Sequence, residues 1–314
     1  MPVPAFMIVG TPRSGTTLLQ RLAGELPGVV VTPETHFFPL VERELGGLAA
    51  FPKSSSGVGA LLEAYCTHPL TKGLELTPRG VLARLPRGER SPYHVFSAVV
   101  AELAGDAEAV GEKTPHHLHW WRPLTVADPH LRLVSVTRDP RAVTASMFEV
   151  PFGMKRPVLV ASQWLEDVRI IDRAQAELGD RLLRISFEAM VTDPVATQQR
   201  LASFLGVNSP GRPGPAAPLQ STRLFPQWEQ GWKGRALEPV TSSRVEAWRT
   251  ALEPDQVREV EAVVGPVLKE LGYSPGSEAK ASLTVRDRGR LLWHRTVRRR
   301  RQRHIDRLRI GTPP

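Results

Sequence analysis

The opening of the chain constrains its fold more than any other stretch. Residues 5–9 form a short apolar run that ends at Gly10. Thr11, Pro12, Arg13, Ser14, Gly15, Thr16 and Thr17 follow, and then leucines recur at helical spacing through Leu26. An apolar run of this length reads as a buried strand, the glycine-bearing stretch as a tight loop, and the leucine pattern as a helix. A strand that turns sharply into a helix gathers unpaired backbone N–H groups and the positive end of the helix dipole at one point, an arrangement that binds phosphate.

The loop lacks one element of the nucleotide-triphosphatase pattern GxxxxGK[ST]. There a lysine follows the last glycine and reaches the outer phosphates, and the next hydroxyl holds magnesium. Thr16 occupies the lysine position here, and Arg13 supplies positive charge from the other side of the loop. A kinase or GTPase therefore fits poorly and stands only as the alternative reading. Four further apolar runs, at 29–31, 109–111, 131–136 and 182–185, alternate with helical stretches. This alternation predicts an α/β fold with a P-loop-type parallel sheet flanked by helices on both faces. After the run 131–136, Arg138 ends a strand and Ser146 lies two turns into the next helix, so guanidinium and hydroxyl can converge on one anion. A structural pair with Asp139 is the other role open to Arg138. Two separated anion anchors imply a nucleotide phosphorylated at two positions.

The 314 residues, 41% of them hydrophobic, can bury one substantial core. We expect a domain over residues 1–281, with a helical insertion at 46–105 near the acceptor pocket, and a basic tail at 282–314. Residues 257–271 show an amphipathic helical period ending at Gly272, and the proline-rich stretch 210–218 reads as a loop. Cys66 is the only cysteine, which fits a reducing compartment, and no cysteine cluster offers metal ligands. The first residues lack a basic leader and no stretch has the length of a membrane span, so a cytoplasmic protein is expected. Residues 286–309 hold eleven arginines and two aspartates, a surplus equal to the whole chain's net charge of +9. A neutral body with a basic appendage differs from a uniformly basic nucleic-acid binder.

Together these segments resemble the PAPS-dependent sulfotransferases, which use 3′-phosphoadenosine 5′-phosphosulfate, and particularly the bacterial and tyrosylprotein-like branch. TPRSGTTLLQRL resembles the family's 5′-phosphosulfate loop, with Arg13, Ser14, Gly15, Thr16 and Thr17 as cofactor-binding positions. Arg138 and Ser146 resemble its 3′-phosphate site. GWKGRA resembles the segment that closes over the 3′-phosphate, with Lys233, Gly234 and Arg235. RISFEAMVTDPVATQQRLASFLGV resembles the stretch before it, with Phe187 standing where many members carry tyrosine. The likeness spans roughly residues 5–273 and implies PAPS as donor, an acceptor bearing a hydroxyl, and no metal.

It also implies roles. Arg13, Thr16 and Thr17 would stabilise the leaving group, and Lys113, at the end of the third strand, would act as a second cation; a surface pair with Glu112 is its alternative. Glu34 matches the carboxylate base of the tyrosylprotein-like branch, where Phe37 and Phe38 would dry the site and raise its pKa. His116 lies where the small-molecule branch carries a histidine base, but Pro115 intervenes, so Glu34 is preferred. His36, His117 and His119 read as rim or packing residues, and the helix 157–178, with Trp164, as a pocket wall. The tail offers three readings: a solvated segment, a non-specific phosphate binder, or peripheral contact with an anionic membrane surface through residues 286–309. The last is the favoured binding role, with no specific nucleic acid as partner. A nucleic-acid-associated module would rest on the tail alone.

Overall fold

The computed structural model describes residues 4–105, 107, 109–208, 224–276 and 283–311. The loop expected at 210–218 lies outside them. Five strands, β1 (Phe6–Gly10), β2 (Val29–Thr32), β3 (Ala109–Lys113), β4 (Arg132–Thr137) and β5 (Leu182–Ser186), form one parallel sheet in the order β2-β3-β1-β4-β5. Each expected strand is present within two residues of its sequence boundaries.

Neighbouring residues of β1 go to opposite sides. Phe6 and Ile8 pack with Leu19, Val134 and Ile185, whereas Met7 and Val9 pack with Phe38, Leu133 and Ile171. Alternation of side chains along a strand thus feeds two cores, and helices must cover both faces. Gly10 ends β1 at φ +148°, where a Cβ would stand 2.6 Å from the Val136 carbonyl of β4. Only glycine lets the two backbones approach so closely at the mouth of the loop.

The connections supply the cover. α1 (Thr16–Gly24) follows β1. After β2 come α2 (Phe37–Glu44), α3 (Ser55–Thr67), α4 (Pro78–Arg84) and α5 (Pro92–Ala104). The expected insertion is thus helical, and its last helix packs on β2 and β3 at one side of the sheet. α6 (Trp121–Ala127) leads to β4. α7 (Pro140–Glu149) and the long α8 (Pro157–Leu178) lead to β5. α9 (Phe187–Thr192) and α10 (Pro194–Leu205) follow it.

Late in the chain α11 (Gln230–Lys233) and α12 (Trp248–Ala251) are single turns. The helix expected over 257–271 is two: α13 (Pro254–Val264) and α14 (Pro266–Glu270). Pro266 lacks the N–H a continuous helix would need and its ring crowds the preceding turn, so the periodicity survives while the helix breaks.

α15 (Val285–Ile305) changes the picture of the tail. It lies on α8 with Leu291 and Ile305 buried, and Ile310 beyond it is buried as well. Gln302 Oε1 accepts from His119 Nδ1 at 2.9 Å and its Nε2 donates to the His119 carbonyl at 2.8 Å; the backbone N–H of Tyr93 donates to the Ile310 carbonyl at 2.8 Å. A detached appendage was expected because eleven arginines dominate the segment, but three apolar residues and one amide dock it. Among the described residues no helix is long and apolar enough to cross a membrane.

Docking has a stability signature. Leu291→Ala and Ile305→Ala should each cost about 2–4 kcal/mol in denaturant unfolding. A segment free of the body would show changes below about 0.5 kcal/mol.

Candidate active site

The carboxyl ends of β1, β2, β3 and β4 open on one edge of the sheet, and the loops leaving them carry the candidate residues. Lys113 is the last residue of β3 and is fully buried. Glu112, one residue earlier, points to the other face of the sheet. Its carboxylate accepts from Thr35, Thr114 and His117, which orders the loops around it. The surface pair Glu112–Lys113 is therefore excluded by strand alternation.

Lys113 Nζ instead donates to Glu34 Oε1 at 2.6 Å. Lys233 Nζ, from α11, donates to the same oxygen at 2.6 Å and to Glu229 Oε2 at 2.6 Å. His36 Nε2 lies 3.4 Å from the other Glu34 oxygen. The result is a continuous ion chain, Lys113–Glu34–Lys233–Glu229, assembled from three distant parts of the sequence.

Its electrostatics decide the state of each group. Burial alone would raise the Glu34 pKa, but the two ammonium groups outweigh it and hold the carboxyl well below the usual range. This corrects the expectation that aromatic neighbours raise it: Phe37 and Phe38 turn away into the core against Phe96. Burial pushes Lys113 down to about 8, with Glu34 opposing. Lys233 is raised, since Glu34 and Glu229 together outweigh its burial. Glu229 is raised by burial, with Lys233 opposing. Burial lowers His36 to about 4 and His116 to about 3, so both rings are neutral near pH 7.

The second group surrounds Arg13, which has φ +71°, a left-handed conformation uncommon for a side chain of this size. Arg13 Nε donates to Ser146 Oγ at 3.2 Å and Nη2 to the Trp232 carbonyl at 3.1 Å. Arg138 donates to the carbonyls of Arg13 at 3.3 Å and Arg244 at 2.9 Å, and its guanidinium lies 4.0 Å over the Phe187 ring. Asp139 pairs with Arg141, so among the described residues Arg138 makes no ion pair. Burial lowers Arg138 to about 10, leaving it charged. The loop and the strand-end arginine, 125 residues apart, thus share one cradle.

Two buried atoms here lack partners among the described residues: Ser14 Oγ and Arg138 Nε. An unmet buried donor costs about 1–3 kcal/mol. Thr16 is buried and Thr17 half-buried at the start of α1, and a Cβ on Gly15 would meet the Phe187 ring at 2.5 Å.

Several residues sit elsewhere than expected. Lys233 ends on Glu34 and Glu229 rather than on Arg138 or Ser146; what GWKGRA contributes beside Arg13 is the Trp232 carbonyl. Gly234 opens the turn Gly234–Leu237, and exposed Arg235 pairs with Glu149 at 2.8 Å, as Arg244 does. Trp164 is no pocket wall. It is buried beneath the second anchor, its indole N–H donating to the Arg138 carbonyl at 2.9 Å. His116 stacks on His119 at 6.5 Å, and His119 Nε2 lies 3.2 Å from the buried Asp167. Glu229, Trp232 and Arg244 escaped the sequence reading: an acid beside GWKG carried no signal, and backbone carbonyls carry none at all.

The profile of the Sulfotransferase family matches residues 4–210. The chain is 27% identical over 270 residues to carbohydrate sulfotransferase 3 of Tetronarce californica, covering 77% of this chain and 57% of that one. It therefore spans little more than half the length of that relative. Protein-tyrosine sulfotransferase 2 of Gallus gallus is 23% identical, with coverages of 87% and 70%, and nodulation protein NoeE of Sinorhizobium fredii 25%, with 94% and 72%. The fold matches the sulfotransferase domain of the curacin biosynthetic pathway at a TM-score of 0.56, with 19% identity over 87% of this chain and 99% of that one.

The depressed pKa values predict acid lability. Glu34 binds fewer protons folded than unfolded, so its contribution is present above its ordinary value of 4.5 and lost as pH falls through its folded value. His36 and His116, folded at about 4 and 3 against 6.5, likewise contribute stability that is lost below pH 6.5. Denaturant titrations over a pH series should show stability falling from 6.5 downward. His116→Gln should flatten the decline toward pH 3, and Glu34→Gln the part below 4.5.

Proposed function

The chain belongs to the sulfotransferase family, and from that premise we propose that it moves a sulfuryl group from PAPS to a hydroxyl on an acceptor, with Glu34 as base and Lys113 and Arg13 as the cations that bear the leaving-group charge. The observation that carries the reading is the shared Glu34 oxygen, 2.6 Å from two buried lysines beside an anion cradle.

Sulfuryl transfer resembles phosphoryl transfer in its loose transition state, so positioning and charge stabilisation do most of the work. The acceptor oxygen forms a bond to sulfur as the bond from sulfur to the bridging oxygen breaks. The electron pair of that bond becomes the charge of the departing phosphate, and the acceptor proton goes to Glu34. Cations are required where that charge appears, and Lys113 and Arg13 supply them. A carboxylate clamped by two ammonium groups is a weak base. When Lys113 and Lys233 turn to anionic oxygens of the donor, Glu34 loses its counter-charges and its proton affinity rises, so donor binding and base activation are coupled.

Ser14, Thr16, Thr17 and Gly15 of the loop support binding of the 5′-phosphosulfate. Arg138 and Ser146, reinforced by Arg13, support binding of the 3′-phosphate. We assign His116 no proton transfer, because its ring stacks on His119. The relatives' names span carbohydrate and protein-tyrosine acceptors, which share a hydroxyl and little else. Metal-independent chemistry belongs to this proposal: the cations of the site are side chains. The phosphotransferase alternative is disfavoured by Thr16 at the position where that chemistry places lysine.

Calorimetry should find that 3′-phosphoadenosine 5′-phosphate binds without magnesium and more tightly than ATP or GTP, with Arg138→Ala and Ser146→Ala each weakening it; preference for a magnesium triphosphate would sink the assignment. Glu34→Gln should retain bisphosphate binding and lower transfer to a hydroxyl acceptor by about 10²–10⁴-fold. Lys113→Ala should likewise act on turnover more than on binding.

A further inference from the structure

α15 buries one face on the body and leaves the other bare. Val285, Leu292, Trp293 and Val297 are 85%, 70%, 69% and 44% exposed. They are four of the eleven large apolar side chains exposed among the described residues, and they fall within thirteen residues of one helix. Soluble surfaces seldom gather such groups on one patch without a partner.

Charge on the same face has one sign. Arg286, Arg288, Arg299, Arg300 and Arg303 are exposed, and none has an acidic partner among the described residues. The helix's lone acid, Asp287, is mostly covered and lies 3.6 Å from Arg290. Asp306, just past its end, accepts from Gln302 on the docked side. Of the arginines turned toward the body, Arg298 lies 3.8 Å from Asp167 and Arg301 lies over the Trp120 ring, while Arg295 keeps a buried Nε without a partner among the described residues. Docking leaves an outer side that bears Arg286, Arg300, Trp293 and aliphatic groups, with Arg299 and Arg303 at its border beside Glu166 and Asp172 of α8.

We propose that the outer face of α15 binds the surface of an anionic lipid bilayer. An interfacial helix needs both features: apolar side chains to enter the headgroup boundary, with tryptophan suited to that depth, and arginines to meet acidic headgroups. A nucleic-acid surface would use the arginines and leave Leu292, Trp293 and Val297 without a role. The inference stands apart from the catalytic assignment, because none of these side chains belongs to the cradle or the ion chain.

Co-sedimentation of the full chain with vesicles tests it. Phosphatidylcholine vesicles containing phosphatidylglycerol should bind at least about tenfold better than phosphatidylcholine alone. Leu292→Ser/Trp293→Ser should weaken that binding by about tenfold while leaving thermal unfolding unchanged, since both residues are exposed. Arg299→Gln/Arg300→Gln/Arg303→Gln should abolish the preference for the anionic lipid. Three results would each overturn the proposal: no binding to either vesicle, binding to the anionic vesicle that the Leu292/Trp293 variant leaves intact, or tighter binding to a DNA duplex than to the anionic vesicle.

Discussion

One carboxylate oxygen, Glu34 Oε1, holds two buried ammonium groups, and the geometry of the candidate site depends on that contact. A lysine as fully buried as Lys113 is costly without a counter-charge. The strand end, the loop after β2 and the late turn α11 are thereby drawn to one point. The same contact explains why the segment after residue 224 returns to the mouth of the sheet: Lys233 brings Trp232 with it, and the Trp232 carbonyl receives Arg13. Glu229 completes the chain. It lies one turn before Lys233 and accepts from it at 2.6 Å.

The cluster around Arg13 and Arg138 is built on a different principle. Its charges are held by carbonyls and rings rather than by acids. Arg138 has the Phe187 face on one side and two backbone carbonyls at its ends, and Trp164 fixes the carbonyl of Arg138 from beneath. Held without an ion pair among the described residues, Arg138 keeps a buried nitrogen without a partner. Phe187 fits this role: a tyrosine's hydroxyl is absent, while the aromatic face that supports the guanidinium is retained.

Much of this could be read from the sequence because it is local. Five apolar runs marked the strands, and Gly10 and Gly15 marked a loop whose backbone must bend sharply. Arg13, Arg138 and Ser146 followed from their positions relative to strand ends, and Lys113 and Glu34 from the likeness to a family. What escaped reading was relational. The direction of the Glu34 pKa depends on Lys113, 79 residues away, and on Lys233, 199 residues away. Whether Phe37 and Phe38 dry the site or leave it depends on a core that includes Phe96. The apolar period of 257–271 is correct for the face it buries and silent about Pro266 interrupting the backbone. The tail misled because its composition is dominated by arginine, whereas its position is fixed by Leu291, Gln302, Ile305 and Ile310.

That docked segment also bears on the order of assembly. α15 and the residues just after it reach α8, the turn carrying His119, and the N-terminus of α5, and His304 meets Glu42 of α2 at 2.7 Å. These contacts join α15 to elements far from it in sequence. During synthesis the sheet can form, with its late strand β5 in place, while Ile171 and Trp120 still lack their cover. Apolar surface on that side stays open until α15 docks, and partly folded states that expose such surface are the ones prone to association.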